Sequence, residues 1–213
     1  MIRLLRFLRE NGLYVLVTHV AGRICGLPRN WLLARKLGVK KIHIGPGALL
    51  RGLSCIRMGE DFSAQQALWL EAIAHFNEQT FSPRIVIGEQ VRVSHYVHIA
   101  ATHLVEIGDS VLLGSMVVII DHNHGSYSGD HSSPLRAPTL RQLESSLKVV
   151  IGRNVWLGDS VVVTPGSTIG EGSVIGANSV VIGEIPPFCI AVGVPATVRK
   201  TYNFGSKKWS SIE

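Results

Sequence analysis

The segment "IGRNVWLGDSVVVTPGSTIGEGSVIGANSVVIG", residues 151–183, repeats one pattern with a period of six residues. The aliphatic residue that begins each repeat recurs at Ile151, Leu157, Val163, Ile169, Ile175 and Val181. An amphipathic helix would place apolar residues three and four apart, and an amphipathic strand would alternate them with a period of two. A period of six therefore predicts short strands that are joined by tight turns.

The same pattern occurs nearer the N-terminus. Comparable runs, separated by slips of register, begin at Ile44-Gly45, Ile87-Gly88 and Ile107-Gly108. Three such strands would close one triangular coil, and stacked coils would bury aliphatic side chains that no single repeat could bury. Glycine is expected where a turn needs a positive φ or where no room remains for a Cβ atom. We predict an all-β solenoid over residues 42–202, with a short tail at 203–213.

Residues 1–41 lack the repeat and carry the positive charge of the chain. They hold nine of the 21 Lys and Arg residues but one of the 15 Asp and Glu residues, so the rest has twelve basic and fourteen acidic residues. Ile2, Leu5 and Leu8 recur at helical spacing among arginines. Such a helix caps the open end of a solenoid or lies against an anionic membrane surface. Nucleic acid is not an expected partner, because no base-stacking aromatic surface accompanies the charge.

Cysteine usage and hydropathy narrow the class of protein further. Cys25, Cys55 and Cys189 are far apart and match no metal-ligand spacing, so we expect neither a disulfide framework nor structural zinc. The longest uncharged apolar stretch near the N-terminus, residues 13–21, is too short to span a bilayer. We predict a cytoplasmic protein without a cleaved signal, with peripheral contact to the inner membrane as the alternative.

The repeat stops after Ile119 and resumes near Val149, which predicts a protruding loop over residues 121–148. The loop begins with "DHNHGSY", residues 121–127. Histidine is suited to general-base catalysis because its pKa lies near neutrality, so His122 and His124 are both candidates. Asp121 or a backbone carbonyl would hold the other nitrogen of the ring.

Four features of the sequence together resemble the hexapeptide-repeat acyltransferases. They are the repeats, the loop, "NVWLG" at 154–158 and "EIPPFCIAVGVPATVRK" at 184–200. Within that family the chain most resembles bacterial O-acetyltransferases of O-antigen, capsule or exopolysaccharide, particularly in "DHNHGSY" and in residues 52–75. The resemblance covers about residues 42–202. It implies a left-handed parallel β-helix, acetyl-CoA as donor, no metal, and a homotrimer with sites between chains. The implied acceptor is a hydroxyl of a cell-surface polysaccharide or of its saccharide precursor, free or lipid-linked.

The resemblance also implies roles for individual residues. Laid without gaps from Ile107-Gly108, the catalytic histidine of galactoside and maltose acetyltransferases falls on His124, which we prefer; a short gap would place it on His122. The residues implied for coenzyme A are Trp156, Gly158, Ser160, Ala177, Arg199 and Lys200, the last two for its phosphates. The alternative readings are a packed aromatic for Trp156 and a solvated terminal face for the two basic residues.

The candidate acceptor-binding residues are Ser94, Tyr96, Thr102 and Trp69. The Asn and Asp that bind sugar in galactoside acetyltransferases fall on Ser94 and Thr102, which argues against the same sugar preference. These side chains could equally be ordinary outward-facing residues of strands, and Trp69 lies in a stretch that either forms a cleft lip or simply packs.

Three other functions stay open at this stage. One is acetyl transfer to a small sugar or an antibiotic, because fold and donor do not determine the acceptor. Another is a zinc hydratase similar to γ-class carbonic anhydrases, although His122 and His124 are closer together than the ligands of that family and "NVWLG" is foreign to it. The third is a non-catalytic scaffold or binding protein.

Overall fold

Each six-residue repeat forms one short parallel strand, and the strands build a left-handed β-helix of triangular cross-section. The computed structural model describes residues 9, 26–127, 133–144 and 146–212. The first sheet contains β1 Ile42–Ile44, β4 Phe62–Ala64, β9 Arg92–Val93, β12 Leu112–Leu113, β17 Trp156–Leu157, β20 Val174–Ile175, β23 Cys189–Val192, β24 Thr197–Asn203 and β25 Lys208–Ser211. The second contains β2 Leu49–Arg51, β5 Trp69–Ala72, β10 His98–Ala101, β13 Val118–Ile120, β18 Val162–Val163 and β21 Val180–Val181. The third contains β3 Ile56–Met58, β8 Arg84–Ile87, β11 Leu104–Ile107, β16 Lys148–Ile151, β19 Thr168–Ile169 and β22 Glu184–Ile185.

The aliphatic residue of each repeat points into the helix. The side chains at all six repeat positions of the segment 151–183 are at most 1% exposed: Ile151, Leu157, Val163, Ile169, Ile175 and Val181. Burying one such side chain stabilises the fold by roughly 1.5–3 kcal/mol. The stacked column therefore forms the core that the period of six predicts.

The glycines of the repeats allow neighbouring coils to approach each other closely. A Cβ atom on Gly108 would lie 2.6 Å from the backbone nitrogen of Arg153, and one on Gly158 would lie 2.7 Å from that of Ala177. Corner positions with positive φ are instead occupied by residues such as Asn154 and Ser160. Of the two roles expected for glycine, the lack of room for a Cβ atom explains these two repeat glycines.

Two insertions leave the solenoid at the corner between the second and third sheets. The first, residues 73–83, carries the hairpin strands β6 His75–Phe76 and β7 Gln79–Thr80. The second, residues 121–147, carries β14 Asn123–His124, the 3-10 turn Pro138–Leu140 and β15 Leu143–Glu144, with β14 and β15 antiparallel. Residues 128–132 and 145 of the predicted loop lie outside the described residues.

The C-terminal segment differs from the predicted tail. Strand β24 continues through Asn203 and pairs antiparallel with β23, and β25 then pairs with β24. Tyr202 lies opposite Trp209, with ring centroids 5.3 Å apart. Such cross-strand aromatic pairs stabilise a hairpin, so the boundary predicted at residue 202 falls inside a strand.

Helix α1, residues 26–37, packs against the first coil. Ala34 belongs to the buried core, and the Oδ1 atom of Asn30 accepts a hydrogen bond from the backbone of Ile44 at 3.3 Å. The helical pattern predicted at Ile2, Leu5 and Leu8 lies outside the described residues, as does Cys25. Within the described part of the chain, no helix combines the length and the apolarity needed to cross a bilayer.

Candidate active site

The carboxylate of Asp121 is fully buried at the point where the chain leaves the second sheet. It accepts hydrogen bonds from the backbone amides of Thr102, His103 and Leu104, each at 2.8 Å, and from the Thr102 hydroxyl at 3.1 Å. The coil below turns its corner at these amides, and the excursion of residues 121–147 removes the backbone that would otherwise lie above them. Asp121 therefore satisfies the donors that the break in the coil would leave unpaired.

Asp121 also holds the ring of His122, whose Nδ1 lies 2.9 Å from the carboxylate Oδ1. Burial alone would raise the pKa of Asp121. The hydrogen bonds from His122 and from the amides of Thr102 and His103 outweigh burial and keep this pKa below its usual value. The carboxylate is therefore ionised at neutral pH and can orient an imidazole that donates from Nδ1.

The two candidate histidines occupy different surroundings. The His122 side chain is 11% exposed and is aligned by the carboxylate. His124 is exposed, lies in β14, and contacts the Phe76 ring edge-on with centroids 5.3 Å apart. Its backbone carbonyl accepts a hydrogen bond from Tyr127 at 2.8 Å. An oriented carboxylate partner is thus observed for His122.

The two insertions bind each other through the side chain of Gln79. Its Oε1 accepts a hydrogen bond from the backbone of Leu143 at 2.7 Å, and its Nε2 donates to the carbonyl of the same residue at 3.2 Å. Leu143 is the residue of β15 that pairs with His124. Asn77 adds a hydrogen bond to the carbonyl of Thr139 at 3.1 Å. Because a two-strand hairpin is marginally stable by itself, these contacts position the histidine loop.

Replacing Gln79 with Ala should lower kcat about tenfold, because two hydrogen bonds of roughly 1 kcal/mol each no longer hold the loop. The KM for the acyl donor should stay unchanged, and limited proteolysis should cut residues 133–144 faster. Gln142, an exposed residue of the same loop, provides the matched control Gln142→Ala. Equal kcat and equal proteolysis in both variants and the wild type would contradict this role of Gln79.

A second group of predicted site residues lies on the outer face of the first sheet. The outward-facing residues aligned in register across this sheet are His43, Ser63, Arg92, Leu112, Trp156, Val174, Ile190 and Lys200. Trp156 is half exposed. A cavity of about 270 Å³ beside it is lined by Gly158, Asp159 and Ala177, among others. The structure thus brings three of the predicted coenzyme residues together.

The remaining predicted coenzyme residues, Ser160, Arg199 and Lys200, do not line this cavity. Ser160 occupies the adjacent corner, where its φ is 59° and its amide donates to the carbonyl of Ser115. Arg199 and Lys200 are exposed on β24, and Lys200 lies in the same outward row as Trp156. The Asp159 side chain accepts a hydrogen bond from the amide of Ser115 at 2.6 Å, so its carboxylate serves the neighbouring coil.

The predicted acceptor residues do not form one cluster. Thr102 is 2% exposed, and its hydroxyl binds Asp121, so the prediction that it contacts an acceptor does not fit the structure. Ser94 and Tyr96 lie at the corner between the first and second sheets, where the Tyr96 hydroxyl accepts a hydrogen bond from Gln66 at 2.7 Å. Trp69 lies on the outer face of the second sheet, among residues described next.

The Trp69 ring stacks on the ring of His98 with centroids 4.1 Å apart and donates a hydrogen bond to Glu71 at 2.8 Å. Arg51 binds the same carboxylate at 3.2 Å. Burial lowers the pKa of His98, and His122 lowers it further, whereas Glu71 opposes both effects. The sequence offers His98 beside the candidate acceptor residues and Glu71 in the same stretch as Trp69, but outward positions of short strands carry no periodic signal that would place the two together.

The histidine loop and the outer row of the first sheet lie on different sides of the triangular section. His122 follows β13 of the second sheet and precedes the return to the third sheet, whereas Trp156 lies in the first sheet. Among the described residues, no group of three or more His, Cys, Asp or Glu side chains is placed to hold a metal ion.

Known proteins resemble this chain in sequence. Residues 148–183 match the family model described as bacterial transferase hexapeptide (six repeats). The chain is 45% identical over 162 residues to WbbJ of Escherichia coli (strain K12), whose name is that of a lipopolysaccharide biosynthesis O-acetyl transferase; the match covers 75% of this chain and 79% of WbbJ. It is 32% identical over 186 residues to the galactoside O-acetyltransferase of the same organism, covering 86% and 85% of the two chains.

A similar fold occurs among solved structures. The N-acyltransferase AntD from Bacillus cereus, solved with dTDP and 3-hydroxybutyryl-CoA, superimposes with a TM-score of 0.62 at 20% identity. The superposition covers 75% of this chain and 79% of AntD. At this identity the likeness supports the fold.

Proposed function

Because this chain belongs to the bacterial hexapeptide-repeat acetyltransferases, we propose that it transfers acetyl from acetyl-CoA to a saccharide hydroxyl of a cell-surface polysaccharide or its precursor. The observation that carries the proposal is the pair formed by His122 and the buried Asp121 where the loop begins. The saccharide acceptor is supported by the identity to WbbJ over most of both chains.

His122 is the proposed general base. With Nδ1 held by Asp121, the Nε2 atom takes the proton from the acceptor hydroxyl as its oxygen attacks the thioester carbonyl. The tetrahedral intermediate then collapses, the carbon–sulfur bond breaks, and the proton passes from Nε2 to the departing coenzyme A sulfur. The ionised Asp121 stabilises the imidazolium that exists between these two steps.

The outer row of the first sheet is the proposed coenzyme groove. Trp156 and Lys200 are three strands apart in the row, a separation of about 14 Å at the usual strand spacing. This length suits the pantetheine arm, with the thioester near Trp156 and the phosphates near Lys200 and Arg199. Gly158 and Ala177 would contact the arm through their backbone, with Ser160 at the adjacent corner.

A complete site requires two chains under this proposal. The base lies at the corner between the second and third sheets, whereas the coenzyme groove lies on the first sheet. A neighbouring chain that places its first sheet against this corner would bring the two halves together. We therefore propose a homotrimer with three sites, each between adjacent chains.

The direct test is the release of free thiol from acetyl-CoA in the presence of a panel of saccharides. Turnover that depends on the saccharide is expected, and Lys200→Gln should raise the KM for acetyl-CoA without lowering kcat. Absence of thiol release with every saccharide, together with about one tightly held zinc per chain, would instead favour a hydratase.

Membrane association is a separate part of the proposal. A lipid-linked saccharide acceptor would lie at the inner leaflet, and the charge of residues 1–41 suits an anionic surface. Most of that segment lies outside the described residues, so the support is the sequence pattern. The full chain should co-sediment with anionic liposomes to a greater extent than a variant that lacks residues 1–25. Equal binding of the two proteins would contradict the proposed membrane association.

A further inference from the structure

A cavity of about 970 Å³ lies on the N-terminal half of the first sheet, between helix α1 and strands β1, β4 and β9. Its volume falls at the upper end of the range for small-molecule sites. The cavity opens on the same face as the proposed coenzyme groove: Arg92, which lines it, is two strands from Trp156 in the outward row, about 10 Å away.

The charge of the cavity is positive. Arg29, Lys41 and Arg92 line it together with one carboxylate, Asp61, so that three positive charges face one negative charge. The Nζ atom of Lys41 lies 2.6 Å from Asp61, and the guanidinium of Arg92 also binds that carboxylate. Asp61 therefore compensates one of the three cations and leaves a net excess of two positive charges for a ligand.

Arg29 supplies the most specific observation. Its Nη2 donates to the backbone carbonyls of Ile44 and Gly45, which fixes the guanidinium against β1. Its Nε is buried and has no hydrogen-bond partner among the described residues. The described partners of this guanidinium are neutral carbonyls, so its positive charge is left for an anionic oxygen in the cavity to compensate.

The other polar groups of the cavity suit a hydroxylated ligand. Gln65 and Gln66 contribute amide groups that donate and accept hydrogen bonds, and His95 contributes an imidazole. Leu27 and Pro46 provide apolar wall. Cationic, amide and apolar groups together match a saccharide that bears an anionic group better than they match a bare inorganic ion.

We propose that this cavity binds the acceptor through a phosphate or carboxylate group, so that the enzyme selects an anionic saccharide. The inference rests on the proposed function, because it assigns the acceptor of that same reaction. With its anionic group at Arg29 and Lys41, the saccharide would extend along the sheet past Leu112 toward the thioester near Trp156. At that position the hydroxyl of the saccharide would lie close to the proposed general base, His122, of a neighbouring chain.

Calorimetric binding of glucose 1-phosphate, glucuronate and glucose to the protein without acetyl-CoA tests the proposal. At least one anionic sugar should bind, and glucose should bind at least tenfold more weakly. Lys41→Gln should raise the Kd of the anion about tenfold without disturbing the fold, since the Lys41 side chain is 76% exposed. Arg29→Gln should also raise the Kd of the anion. Binding of one anion alone identifies phosphate or carboxylate as the recognised group.

Two controls make the result specific. Lys36→Gln changes an exposed residue of helix α1 outside the cavity, and Lys200→Gln changes the coenzyme groove; neither should alter the Kd. Equal affinity for glucose and both anions, or equal affinity of wild type and Lys41→Gln, would overturn the inference, as would no binding of either anion. If neutral saccharides are acetylated efficiently but neither anion binds, the proposed function stands and this inference fails. If an anion binds but no thiol is released from acetyl-CoA, the inference about the cavity stands and the proposed function fails.

Discussion

Replacing His122 with Ala should lower kcat by about a thousandfold, with little change in the KM for acetyl-CoA. The expectation follows from the loss of the proposed base, since general-base catalysis contributes typically 10²–10⁴ in rate. The imidazole is aligned by a buried carboxylate 2.9 Å from its Nδ1, which is the arrangement that a base needs. Steady-state thiol release from acetyl-CoA, with acetyl-CoA and acceptor varied separately, measures both constants.

His124→Ala is the matched control, because it removes a second imidazole from the same loop. His124 is exposed and contacts Phe76, so its loss should change kcat by less than about tenfold. The reverse result, in which His124→Ala loses activity and His122→Ala keeps it, would show that the gapless alignment identified the base correctly. Full activity in both variants would remove the loop from the mechanism.

The solenoid could be predicted because its signal is local and repeated. Every sixth residue must be aliphatic to reach the core, as Leu157 and Ile175 do, and the break after Ile119 marks where the chain leaves the coil. The C-terminal hairpin could not be predicted, because β25 extends the first sheet without following the six-residue period. Its cross-strand pair of Tyr202 and Trp209 joins residues that no repeat connects.

The candidate site was only partly readable from the sequence. Counting residues from the last repeat favours His124, but the carboxylate that orients His122 depends on where the coil opens. One feature of the sequence did indicate the site. An acidic residue at the point where a ladder of backbone hydrogen bonds ends can accept hydrogen bonds from the amides left unpaired there, as Asp121 does. The clamp between Gln79 and Leu143 spans 64 residues and leaves no trace in either local pattern.

Replacing Asp121 with Asn should lower both stability and activity. An amide has one acceptor oxygen and two donors, whereas Asp121 accepts from three backbone amides, one hydroxyl and His122. Leaving buried donors unpaired at this point should reduce the free energy of unfolding by about 3 kcal/mol. Activity should fall about a thousandfold, because no carboxylate holds the His122 tautomer. Urea unfolding and thiol release measure the two effects.

Asp109→Asn provides the control, since the exposed Asp109 side chain caps a single amide, that of Glu89, at 2.8 Å. This substitution should lower the free energy of unfolding by less than about 1 kcal/mol and leave the activity unchanged. Equal destabilisation by both changes would contradict the special role of Asp121.

The pH dependence of the Asp121→Asn effect separates the carboxylate from simple packing. Hydrogen bonding lowers the pKa of Asp121 in the folded state, so the unfolded chain takes up the proton first as pH falls. The stabilisation is therefore fully present above the usual aspartate value of about 3.9 and is lost as pH falls below it toward the folded-state pKa. The difference in unfolding free energy between wild type and Asp121→Asn should therefore shrink as the pH is lowered from about 4 into more acidic buffer. A difference that stays constant through the acidic range would mean that the ionised carboxylate contributes nothing beyond its shape.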